Sequence, residues 1–244
     1  LVGSEMCIRD RKMIGVIRKF KTASPAVKAS MALLFANLIL KGLSLISGPI
    51  FTRIMPTDQY GIVSTFQSWQ SLLAVIVTLN LSQGVFNNGM LEFKENRDQF
   101  EFALVVITVV CTGLFLLIFE IFKTSLLNMF EMPLVMVYIM ALYFLFVPAY
   151  QFWSGRQRYE YKYKALSIVT VCIGLFSLLL GVLFVLNVSS GKEAIARVYA
   201  MEGVNIAVGI FFFVIIAVKA KFKLRIEYCI YALKFNIPLI PHYM

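Results

Sequence analysis

Charge is scarce in this sequence. Only 15% of the 244 residues are Asp, Glu, Lys or Arg, and a single histidine, His242, stands near the C-terminal end. Four cysteines are spread out as Cys7, Cys111, Cys172 and Cys229, two of them inside apolar runs, a spacing that gives neither a disulfide framework nor a metal-ligand set. There is no G-x-S-x-G, no phosphate-binding glycine loop and no H-E-x-x-H. These absences argue against a soluble hydrolase or ATPase, so the chain is expected not to be an enzyme and to need no cofactor or metal.

What is present is apolar surface. Hydrophobic residues make up 60% of the chain and the mean hydropathy is +0.81, well beyond the composition of a soluble domain. A helix needs about 20 apolar residues to cross a hydrocarbon core. Runs of that kind predict an all-α, polytopic membrane protein with six transmembrane helices near 26–52, 62–86, 100–122, 132–153, 166–188 and 199–218. Short polar loops such as "PTDQYG" and "NVSSGKEAIAR" separate them. A seventh helix is expected to start near Asn236. The opening "LVGSEMCIRDR" lacks helical periodicity and reads as a non-native, adaptor-derived segment over 1–12. The domain reading is then 1–12 as that segment, 13–235 as a six-helix bundle, and 236–244 as the truncated start of a second bundle.

Lysine and arginine are unevenly shared between the two sets of loops. The N-terminal tail and the second, fourth and sixth loops hold 18 of the 23, against 4 in the first, third and fifth loops: Arg53, Lys123, Lys192 and Arg197. The positive-inside rule therefore predicts a cytoplasmic N-terminus in a cytoplasmic (inner) membrane. On this reading the net charge of +10 reports topology and attraction to anionic lipid, and gives no support to nucleic-acid binding.

The remaining cation, Lys41, falls in the middle of the first span, where lysine costs about 2.5–3.5 kcal/mol on insertion scales. Asn37, Lys41, Ser44, Gly48 and Thr52 follow one another at helical spacing and form one stripe. In the second span Ser64, Gln67, Ser71, Ala74, Thr78 and Ser82 do the same. Three readings fit Lys41: a water-accessible cavity, which we prefer, an internal ion pair, or snorkelling to an interface. The stripe Ser167, Thr170, Gly174, Ser177 and Gly181 of the fifth span suits close helix packing instead. For Glu202 the preferred reading is a structural pairing with Lys41 or Arg197, with a proton or sodium site the alternative. Pro49 and Pro148 are expected to mark helix ends, while Pro238 and Pro241 suit a bent helix.

The stretch 33–85, with Phe51, Thr52 and Arg53 followed by Tyr60 and Gly61, resembles the opening of bacterial polysaccharide-unit flippases. These are the O-antigen and capsule repeat-unit transporters of the multidrug/oligosaccharidyl-lipid/polysaccharide exporter superfamily. "QFWSGRQRYEYKYKAL" and "FNIPLIPHYM" support the resemblance. It implies a two-bundle transporter, of which this chain supplies the N-terminal bundle. It also implies a lipid-linked oligosaccharide on undecaprenyl pyrophosphate as cargo, membrane lipids as surroundings, and the polysaccharide polymerase and other assembly proteins as partners. Under that resemblance Lys41, Asn37, Ser44, Gln67 and Arg53 become candidate cavity residues for the cargo. Arg53 is equally placed to anchor an outer loop by pairing with Asp58. A drug or metabolite cation antiporter of the same superfamily would call for acidic groups at mid-depth, of which Glu202 is the chief candidate. A membrane-embedded glycosyltransferase or polymerase would call for acidic, histidine or arginine clusters in long outer loops, which are lacking here.

Overall fold

The computed structural model describes residues 25–236 and residue 238. Residues 1–12, Pro241, His242 and the basic N-terminal tail through Lys21 lie outside the described residues, and with them the expectations placed there. Among the described residues every regular element is a helix: α1 (Pro25–Ile54), α2 (Thr57–Val77), α3 (Gly84–Glu92), α4 (Arg97–Ile121), α5 (Lys123–Phe130), α6 (Leu134–Tyr159), α7 (Tyr163–Asn187), α8 (Glu193–Lys219) and α9 (Ile226–Asn236). Five are long and apolar enough to cross a membrane: α1, α4, α6, α7 and α8. Their outer faces carry residues such as Leu38, Leu117, Leu179, Phe211 and Val218, all exposed, as a multi-pass membrane protein requires.

The second expected span differs from the sequence reading. Its helix, α2, starts earlier, at Thr57, and stops at Val77 instead of running to residue 86. Leu79 and Asn80 take positive φ values of 52° and 48°, which a continuing right-handed helix does not tolerate, and the chain turns before α3. The side-chain amide of Asn236, fully buried at the end of α9, donates to the carbonyl of Leu79 and ties that turn down. With Asp58, Gln59, Gln67 and Gln70 along its length, α2 falls short of the apolarity of the five crossing helices. Its serines accommodate themselves locally: Ser64, Ser68 and Ser71 each donate to the carbonyl one turn back.

Pro49 and Pro148 do not mark helix ends; both lie inside helices, α1 and α6. A proline there removes one backbone donor, so the carbonyl one turn earlier loses its partner. Near Pro148 the loss coincides with a close crossing. A Cβ on Gly209 of α8 would stand 2.7 Å from the Phe146 carbonyl carbon and oxygen, so only glycine lets α8 lie directly on the α6 backbone. Pro56 and Pro133 do act as boundaries, in extended conformation immediately before α2 and α6.

Two apolar clusters lie at opposite ends of the bundle. One holds Phe86, Phe100, Phe152 and Tyr228, near the starts of α4 and α9 and the end of α6. The other holds Phe51, Phe119, Met136, Val185 and Ala194, near the ends of α1, α4 and α7 and the starts of α6 and α8. This distribution requires α1, α4 and α7 to run one way and α6 and α8 the other. We call the end shared by Ile54, Asn187 and Glu193 the distal end. At the opposite, proximal end Arg156 bridges Asp98, Glu101 and Glu160, and Lys162 also pairs with Glu160. These pairs fasten the start of α4 to the end of α6.

Candidate functional site

Helix α8 begins at Glu193, six residues before the start that hydropathy suggests, and this shift decides where the site lies. Glu193 folds back to accept from the Gly191 N–H, and the Ala194 N–H donates to the Gln59 side chain, so the first turn is satisfied by α2 and by its own loop. Arg197 therefore sits on the second turn of a helix long and apolar enough to cross a membrane and not in the fifth loop, where the sequence reading places it. Four residues on come Met201 and then Asn205, on the same face.

That face looks into a cavity of about 360 Å³ formed by α1, α2, α7 and α8. Ser44, Ser47 and Gly48 of α1, Ser64 and Gln67 of α2, and Ser177 of α7 line it along with Arg197, Met201 and Asn205. Ser44, Ser64 and Gln67 are exposed, so the cavity is open on their side. Polar hydroxyls and amides at this depth, with Leu40, Leu43 and Ile173 between them, make an amphipathic hollow suited to a polar group carried on an apolar tail.

The cavity's charge is Arg197. Its Nη1 donates to the Ser177 carbonyl at 3.0 Å, and its guanidinium carbon stands 3.9 Å from the centroid of the Phe51 ring. A Cβ on Gly181 would collide with Nη1, so the glycine on α7 makes the room the guanidinium occupies. No ion pair to Arg197 is found among the described residues. A guanidinium offers five N–H donors, and one is spent on Ser177 here. The remaining donors, on a cation held over an aromatic face, can take an anionic group in bidentate fashion.

The residues named from sequence separate. Ser44 and Gln67 line the cavity, and the Gln67 amide also donates to the Met201 sulfur at 3.4 Å. Asn37, Lys41 and Arg53 do not line it. Lys41 is exposed on the flank of α1 beside Ser44 and Gly48, and no internal ion pair is made by it among the described residues. Arg53 is exposed, and Asp58 accepts from the Gln59 amide instead of pairing with it. Glu202 pairs with neither Lys41 nor Arg197; it is 2% exposed and accepts from the Asn205 amide at 3.1 Å. Arg197, missed as a cavity residue, had a signal in the sequence: Arg197, Met201 and Asn205 repeat at the same four-residue spacing that singled out Lys41.

No family model matches the chain. Neither the curated proteins nor the solved structures yield a match, so the reading of the site rests on its chemistry.

Proposed function

We propose that the chain is one bundle of a membrane transporter that moves a lipid-linked oligosaccharide, carried on undecaprenyl pyrophosphate, across the cytoplasmic membrane for cell-surface polysaccharide synthesis. The single observation that carries this reading is a guanidinium, Arg197, with no ion pair among the described residues, in a hollow otherwise lined by hydroxyls, amides, aromatic and alkyl groups. A pyrophosphate needs a cation at membrane depth, its sugars need hydroxyls and amides, and its polyprenyl chain needs an apolar flank. On this reading α2, despite its polar residues, serves as the sixth crossing helix and as a wall of the cavity. A second bundle closes the open side, where Lys41 adds a further cation. The N-terminus lies in the cytoplasm, and transport proceeds by rocking of the two bundles. A cation antiporter of similar architecture would call for a carboxylate in the lining, whereas the charge in this lining is positive.

The test is export of surface polysaccharide in cells lacking their own flippase and complemented with the gene for this protein, measured per molecule in the membrane. Arg197→Ala is expected to lower export on the order of 10- to 100-fold, the range for losing a charge-assisted hydrogen bond. Arg197→Lys should retain part of it, and Lys41→Ala should cost less than Arg197→Ala. Normal export per molecule by Arg197→Ala would overturn the reading.

A further inference from the structure

Glu202 lies directly behind the cavity wall. Polar groups from its own helix, α2 and α6 act on it. On its own helix, Asn205 donates to its Oε2 from Nδ2, and Arg197 acts on it through space without forming a pair. From α2 comes Gln70, itself 9% exposed, whose Nε2 has no partner meeting hydrogen-bond geometry yet acts on the same carboxyl. From α6 comes the Tyr143 hydroxyl, which feels the Glu202 charge. Among the described residues the charged group that acts on it is thus Arg197, and Tyr60 of α2 acts on Arg197 in turn. A carboxyl out of water must find a cation or take up a proton. Among the described residues no cation pairs with it. Asn205 both lines the cavity and bonds to Glu202, so the carboxyl is one side chain away from the cavity's contents.

We propose that Glu202 is a proton-binding site whose charge sets the affinity of Arg197 for an anionic group in the cavity. With Glu202 ionised, the negative charge offsets the field of Arg197 and weakens anion binding. With the carboxyl protonated, Arg197 acts on the anion at full strength. Linkage makes the effect reciprocal: arrival of the anion draws a proton onto Glu202, and loss of that proton favours release. The step is a proton equilibrium alone, with the proton coming from water in the cavity and returning to it. This proposal rests on the reading of the cavity as an anion site.

The experiment uses the purified chain in lipid nanodiscs, with inorganic pyrophosphate as the probe. Affinity is measured at acidic and neutral pH, and proton uptake is followed by titration calorimetry in buffers of different ionisation heat. The wild type should lose affinity on the order of 10-fold between acidic and neutral pH beyond any change seen in Glu202→Gln. Glu202→Gln should bind more tightly than the wild type at neutral pH and about equally at acidic pH, and should take up fewer protons. The probe's own titration is common to both proteins and cancels. An infrared difference spectrum of the wild type should also show a protonated carboxyl band appearing on binding, a readout independent of how the variant folds. Identical pH profiles in both proteins, or no such band, would overturn the proposal while leaving the cavity reading intact. Absence of pyrophosphate binding, or binding unaltered by Arg197→Ala, would overturn the cavity reading and this proposal with it.

Discussion

Arg197 of α8 holds its guanidinium 3.9 Å above the ring centroid of Phe51 of α1, and Gly181 of α7 clears the space between them. Three helices meet at one cation. Phe51 itself is buried, so the ring face is an apolar, fixed platform on which a cation–π contact contributes about 2 kcal/mol.

Gly181→Ala should therefore act on the site more than on the fold. The added methyl meets the far end of a flexible arginine and, at 3.0 Å, the tip of the Phe51 ring. The guanidinium can swing away from Ser177 and the ring, which costs the site its geometry. The expected outcome is near-normal amounts of folded protein with export per molecule reduced. Surface polymer and membrane protein, quantified together, check it.

Gly209→Ala should do the reverse. The new methyl would press on the Phe146 carbonyl, which is backbone and cannot turn aside. Separation of α8 from α6 is the remaining outlet, at a cost of about 1–3 kcal/mol for overpacking. A lowered thermal midpoint in detergent is expected, and an unchanged midpoint would deny the close crossing.

At the proximal end, Arg156→Ala should destabilise the bundle by about 3–5 kcal/mol, because it strands the Glu101 carboxyl, only 2% exposed, without its cation. Adding Glu101→Gln to that variant should recover part of the loss. Thermal unfolding of the two single variants and the double variant measures the coupling directly.

The same junction carries a pH dependence. Partial burial raises the Glu160 carboxyl pKa, but hydrogen bonds from Arg156 and Lys162 outweigh it and hold the pKa below the usual carboxylate value. A depressed folded-state pKa means that the stabilisation is present above the unfolded carboxylate value, and is lost as pH falls through the folded one. On acidification the unfolding midpoint should thus change less favourably in the wild type than in Glu160→Gln, the difference being the Glu160 contribution. Equal slopes would remove Glu160 from the acid response.

Hydropathy locates the crossing helices because lipid demands unbroken apolar length, and α1, α4, α6, α7 and α8 all satisfy that demand. It misplaces what polar residues and tertiary contacts decide. The start of α8 is masked in sequence by Lys192, Glu193 and Arg197, yet Gln59 and the Gly191 turn complete its first turn. The break after Val77 follows from left-handed Leu79 and Asn80; asparagine tolerates that conformation, but a leucine there gives no sign of it. Lys41 is conspicuous because it is a lone charge in an apolar run, while Arg197 is hidden among loop-like neighbours. Asp98 and Glu101 share α4, and Arg156 near the end of α6 is followed by Glu160 just beyond it. Their union across α4 and α6 is a tertiary fact.

The most direct test of the central claim is a photo-crosslink formed in living cells from the cavity itself. A benzophenone amino acid at Gln67, which lines the hollow, is compared with one at Val110, which is exposed on α4 and does not line it. The account predicts a lipid-linked oligosaccharide adduct at Gln67, absent at Val110 and strongly reduced when Arg197 is also changed to Ala. Equal labelling at both positions, or labelling at Gln67 that survives Arg197→Ala undiminished, would contradict it.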